Sequence, residues 1–112
     1  MNTFVISAKS ILASLMLAAL MANANAGDVV EVSIEKMKFI PKIIKIKRGD
    51  TVKWVNNEKR GDHNIAFEKE NLPESDRFFP GESWQRTFEK PGSYPYICGI
   101  HPEMTGVVEV GE

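Results

Sequence analysis

The only cysteine in the chain opens the run CGIHPEM, so Cys98, His101 and Met104 bring a thiol, an imidazole and a thioether within seven residues. The only other histidine, His63, lies 35 positions upstream of Cys98. Thiolate and thioether sulfur are soft donors that suit copper(I), and imidazole suits copper in either oxidation state. One Cys and two His in a trigonal set, with a weak axial Met, is the arrangement of an electron-transfer copper site. His63, Cys98, His101 and Met104 are therefore read as the ligands of one mononuclear copper ion. Three of them converge only if Gly99 to Met104 turns tightly; Gly99 contributes backbone freedom and Pro102 a fixed φ. His63 must arrive from a separate strand, expected over His63–Phe67, that ends beside this loop.

Other chemistries for the same residues are weaker. Zinc also takes Cys and His, but structural zinc sites seldom use a thioether, and no HExxH-like pair is present for a catalytic one. A Cys–His nucleophile pair leaves Met104 without a role, and a His three residues after the Cys on a tight turn is poorly placed for a triad. A buried apolar cysteine is common, and Met104 alone would pass for a core filler. Neither explains why these residues occur together.

The elements that must hold these ligands are short strands. Val30, Val32 and Ile34 alternate with Glu31 and Ser33, and Ile44 and Ile46 with Lys45 and Lys47, the period-two pattern of half-buried strands. Arg48-Gly49-Asp50 turns into Val52–Val55. Further strands are expected at Trp84–Phe88, Tyr94–Cys98 and Gly106–Val110, with a Lys90-Pro91-Gly92 turn between the first two. Glu68–Gly81 is polar with two prolines and reads as a long loop holding one helical turn. No segment sustains a helical period. The chain is thus expected to be all-β, a sandwich of about seven or eight strands with the metal at one end. Trp54 and Trp84 are assigned to the core. Lysines 42, 45, 47 and 53 are assigned to the solvated side of a sheet.

The first 26 residues read as a cleaved signal peptide: Lys9 supplies the positive region, Ile11–Met21 the apolar region, and Ala24 and Ala26 the small residues before the cut. Cleavage after Ala26 is expected, with Ala24 as the alternative, leaving a single domain over 27–112. The apolar run falls short of the roughly 20 residues that span a bilayer, so no membrane insertion is expected. The exported protein would be periplasmic. Removing Lys9 leaves 13 basic and 15 acidic side chains, which gives no case for nucleic acid. A lone thiol in an oxidising compartment needs protection, and a bound metal provides it.

The stretches MKFIPKIIKIKRGDTVKWVN, HNI and TFEKPGSYPYICGIHPEMTGVVEV resemble the cupredoxins, the small blue copper proteins, and most closely the amicyanin and plastocyanin branch. The likeness covers essentially all of 27–112. The short Cys-x2-His-x2-Met loop is the amicyanin spacing, shorter than in plastocyanins and azurins. The resemblance implies a Greek-key β-sandwich with His63, Cys98 and His101 as equatorial ligands and Met104 as the axial one. It implies that Asn64 fastens the two ligand-bearing segments by hydrogen bonds. It also makes the His101 edge the electron port, ringed by Pro102 with Pro80 and Gly81. Function would be electron shuttling by a monomer between a donor and an acceptor protein that dock transiently near His101, and not catalysis.

Two departures stand out. Glu103 sits where amicyanins tend to carry an apolar residue, and a carboxylate there would suit a positively charged partner. Asn57–Asp62 is strongly charged, with Lys59 and Arg60 opposite in sign to Glu103. The amicyanin partner, methylamine dehydrogenase, is accordingly not carried over. Glu58 or Glu103 near the metal keeps open the red-copper type of nitrosocyanin, which has a glutamate ligand and an open position, although Met104 argues against it. Copper handling, as a chaperone or store, is the other alternative. It favours exposed, exchangeable Met- or His-rich sites, and Met37 is the only further methionine in 27–112.

Overall fold

The computed structural model describes residues 27–112, and the leader assigned to 1–26 lies outside the described residues. Seven strands follow in order: β1 Val29–Glu35, β2 Lys38–Ile40, β3 Ile43–Lys47, β4 Thr51–Asn56, β5 Ser83–Thr87, β6 Gly92–Ile97 and β7 Thr105–Gly111. They form one sheet in the order β2-β1-β4-β5 and a second in the order β3-β7-β6. The chain crosses between sheets after β2, after β3 and after β5. Among the described residues a single 3-10 turn, Glu68–Glu70, interrupts the β structure, inside the segment expected to be a loop with one helical turn. This is the sandwich anticipated from the strand spacing, with the Greek-key topology that the resemblance implied.

Period-two patterning decides which faces meet. Val32, Ile34, Ile44, Ile46, Val52 and Trp54 are buried, while Lys45 and Lys47 between them are exposed. Burying an aliphatic side chain of this size contributes roughly 1.5–3 kcal/mol, so a few such alternations hold each sheet against the other. Trp54 lies at the centre, with ring centroids of Tyr96 and Trp84 at 5.2 and 5.5 Å. Trp84, on the neighbouring strand, packs on the core half-buried.

Pairing sets the ends of the sandwich. β1 and β4 run parallel from Val29↔Thr51 to Ile34↔Asn56, and β6 and β7 run antiparallel from Gly92↔Val110 to Ile97↔Thr105. The Cys98–Met104 loop therefore sits at the end where β6 finishes. The turns at Arg48–Asp50 and Glu89–Pro91 occupy the other, linked by the Gly49 N–H donating to the Phe88 carbonyl at 2.7 Å.

The expected strand at His63–Phe67 is not a strand. His63 bridges Phe78, whereas Ala66 bridges Ile97. Between them the Ile65 N–H donates to the Ser75 hydroxyl at 2.8 Å. Backbone groups three residues apart thus have different partners, and no single neighbour runs alongside to form a ladder. A short β-branched and aromatic sequence is consistent with extended backbone but cannot supply that neighbour.

Candidate metal centre

β6 delivers Cys98 at its end, and the following turn folds back on itself. The Cys98 N–H donates to the Met104 carbonyl at 3.1 Å, the His101 N–H to the Cys98 carbonyl at 3.2 Å, and the Met104 N–H to the His101 carbonyl at 2.9 Å. These three bonds close the loop in front of β7 and hold Cys98, His101 and Met104 on one compact turn. His63 comes from the cross-linked segment after β4. Its N–H and carbonyl exchange hydrogen bonds with Phe78 at 3.1 and 2.9 Å.

Asn64 ties the two segments together. Its Oδ1 accepts the Gly99 N–H at 2.7 Å and lies 3.7 Å from the Cys98 sulfur, while its Nδ2 donates to Glu74 at 2.9 Å. This is the fastening role that the resemblance implied. Gly99 has no left-handed φ; a Cβ there would displace the Glu74 carboxylate, the far end of a flexible side chain that Asn64 Nδ2 otherwise bonds.

Three of the four expected ligands, Cys98, His63 and His101, meet at one point. The Cys98 sulfur lies 3.8 Å from His63 Nδ1 and 3.6 Å from His101 Nδ1. Donors roughly 2.0–2.3 Å from a shared ion at trigonal to tetrahedral angles stand about 3.6–3.8 Å apart, so the spacing suits one small metal ion. Among the described residues this is the one cluster of His, Cys, Asp or Glu placed to hold a metal. Cys98 and His63 are buried, as is Met104; His101 is half-buried, at the surface edge of the set. Met104 shares the loop of Cys98 and His101 and is buried like Cys98 and His63.

Glu58 is the residue whose role was missed. Its Oε1 lies 3.5 Å from His63 Nε2, the ring nitrogen that does not face the thiol. The two nitrogens occupy different edges of the imidazole, so Glu58 supports the histidine from behind and does not reach the point where the donors converge. Such a carboxylate fixes the tautomer, leaving Nδ1 free to bind. Glu103 is exposed and also stands outside the cluster. Burial, then the neighbouring His101 charge, holds the His63 imidazole below the ordinary histidine value, and Glu58 pulls the other way. A neutral imidazole is the form that takes a metal. The spacing from Glu58 to His63 carries no motif; only an acidic residue five positions ahead of a ligand hinted at it.

Residues 26–111 match the family described as copper binding proteins of the plastocyanin/azurin type. The chain belongs to that family. It is 41% identical over 87 residues to amicyanin of Paracoccus versutus, an alignment covering 74% of this chain and 65% of that protein. With amicyanin-alpha of Methylorubrum extorquens it shares 40% over 91 residues, covering 78% of this chain and 75% of the relative. The crystal structure of the Paracoccus versutus amicyanin superimposes with a TM-score of 0.67 at 39% identity, covering 78% of this chain and 82% of that one. The protein is a copper-binding cupredoxin, and its His, Cys, His and Met constellation fits a single type 1 copper site.

Proposed function

We propose that the protein carries single electrons between redox proteins, with His63, Cys98, His101 and Met104 as the ligands of its copper ion. The observation that carries this reading is the convergence of one buried thiol and two imidazole Nδ1 atoms at 3.6 and 3.8 Å, on segments cross-linked by Asn64. When bound, copper supplies a one-electron couple between its cuprous and cupric states. The chain's residues do the rest. Asn64 and the Cys98–Met104 hydrogen bonds hold the donors in place, so little needs to rearrange when the charge changes. Burial of Cys98 and Met104 excludes water, and half-buried His101 offers the shortest way out to a partner.

A carrier rather than an enzyme is favoured because all four ligand positions come from the protein, leaving none for a substrate. No helix among the described residues is long and apolar enough to cross a membrane. We further propose export to a periplasm with cleavage after Ala26, giving a monomeric domain over 27–112; intact mass of the secreted protein checks the cut. The function is tested by adding copper(II) to the apoprotein. An intense thiolate-to-copper band with narrow hyperfine splitting, bleached reversibly by a mild reductant, is the expected result. A red, weakly covalent spectrum that changes on adding azide would instead point to an open-site protein, and no thiolate band would remove the copper-carrier reading.

A further inference from the structure

The tip between β1 and β2 is an unusual piece of backbone at the copper end. Glu35 pairs with Lys38, so Lys36 and Met37 form a two-residue hairpin turn, and both have positive φ, at 52° and 57°. Asn and Gly normally occupy such turns, and a side chain in this conformation costs about 1–2 kcal/mol per residue. The turn is pinned from below: the Met37 N–H donates to Glu58 Oε1 at 2.8 Å, the same oxygen that lies 3.5 Å from His63 Nε2. An unfavourable conformation held by a residue that also supports a metal ligand points to a role for what the turn displays.

What it displays is positive charge around an exposed thioether. On one side of Met37 lies a hollow lined by Lys36, Lys59 and Arg60; on the other, one lined by Met37, Lys38 and Lys42 that reaches Met104. All five cations are exposed, and none is in an ion pair with another of the described residues. Opposing them on the same surface are the carboxylates of Glu35, Glu58 and Glu103. The chain as a whole has a formal charge of −1, so this excess is local.

Resting on the electron-carrier reading above, we propose that Lys36, Lys38, Lys42, Lys59 and Arg60 form a basic collar around Met37 that docks an acidic face of the redox partner. This reverses the preference expected from Glu103 alone, which suited a cationic partner. A protein face is favoured over an anionic membrane because the collar surrounds the Met37–Glu58–His63 connection to the metal, which matters only to a partner exchanging electrons. Fields of this kind raise encounter rates by roughly 10- to 1,000-fold and weaken beyond a Debye length of about 10 Å at 0.1 M salt.

The test compares electron exchange of the copper-loaded protein at gold electrodes carrying carboxylate-, hydroxyl- or amine-terminated monolayers. The carboxylate surface stands in for the acidic partner face. Exchange is expected to be fastest on carboxylate at low salt and to fall about tenfold or more in a Lys59→Glu/Arg60→Glu variant. The variant should keep its thiolate band. An Arg48→Glu/Lys90→Glu variant carries the same charge change at the opposite end of the sandwich, about 20 Å away along β1, and should match the unmodified protein. Equal slowing in both variants, or a preference for the amine surface, overturns the proposal while leaving the carrier reading intact. So does tight, collar-dependent binding to phosphatidylglycerol vesicles without any electrode preference, which would make this a membrane-facing surface. Absence of a thiolate band in the unmodified protein removes the carrier reading and the collar together.

Discussion

At the scale of single residues, the site divides into atoms that bind and atoms that hold the binders still. Cys98 cannot be replaced by serine without losing the thiolate, so Cys98→Ser should abolish the intense visible band while leaving the strand content seen by circular dichroism unchanged. Glu58 belongs to the second group. Removing a carboxylate that orients a ligating imidazole typically lowers metal affinity by 10–100-fold, and Glu58→Gln should do so here. Titration of both proteins against a competing chelator checks this. Unchanged affinity would mean that Glu58 serves only the Met37 turn.

At the scale of elements, the turns have distinct tasks. The Lys36–Met37 turn is strained, so replacing it with Asn-Gly should raise stability by about 1 kcal/mol in denaturant unfolding, because these residues tolerate positive φ. At the opposite end, the Asp50 carboxylate accepts the Asp28 and Lys47 N–H groups, each at 3.0 Å, closing the β3–β4 turn over the start of β1. Those bonds, chiefly the one from Lys47, hold the Asp50 carboxyl below the ordinary aspartate value. The unfolded chain therefore takes up this proton first as the solution is acidified. The Asp50 contribution is complete above the ordinary carboxylate range and is lost as the pH falls through the depressed folded value. Melting temperature followed from pH 6 downward should decline less steeply in Asp50→Asn than in the unmodified protein. Gly106 makes a packing demand instead: a Cβ there would overlap the Tyr96 ring and hydroxyl. Gly106→Ala should cost about 1–3 kcal/mol, as overpacking of a tight core does.

At the scale of the whole molecule, a sandwich of this size without disulfides has modest stability, and a metal held by the proposed ligands would join its two sheets at one end. His63 leaves the sheet that contains β4, while Cys98 follows β6 in the other. A ligand present at 100 times its dissociation constant adds about 2.7 kcal/mol, and a domain of this length shifts by about 4–8 °C per kcal/mol. Stripping copper should lower the melting temperature by about 10–20 °C, measured by calorimetry on the apo and loaded forms. A smaller change would mean that copper binds the folded protein less tightly than this. The charge distribution also belongs to this scale: basic residues distant in sequence gather at the end that holds the metal.

Local periodicity was enough to read the sandwich and its burial, since alternation along one strand decides which side chains point inward. The proposed ligands Cys98, His101 and Met104 could be picked out for a related reason: they share a short turn, and a metal demands particular donor chemistry wherever the turn occurs. His63 followed as the one histidine left to complete the set. Tertiary structure alone decided the rest. His63–Phe67 has β-like composition, but a ladder needs a neighbour, and its hydrogen bonds diverge to Phe78, Ser75 and Ile97. The join of Glu58 to both Met37 and His63, and the meeting of Lys36, Lys38 and Lys42 with Lys59 and Arg60, depend on loops separated by a full strand pairing. Sequence spacing does not encode contacts of that kind, because strand register and sheet crossing set which loops become neighbours.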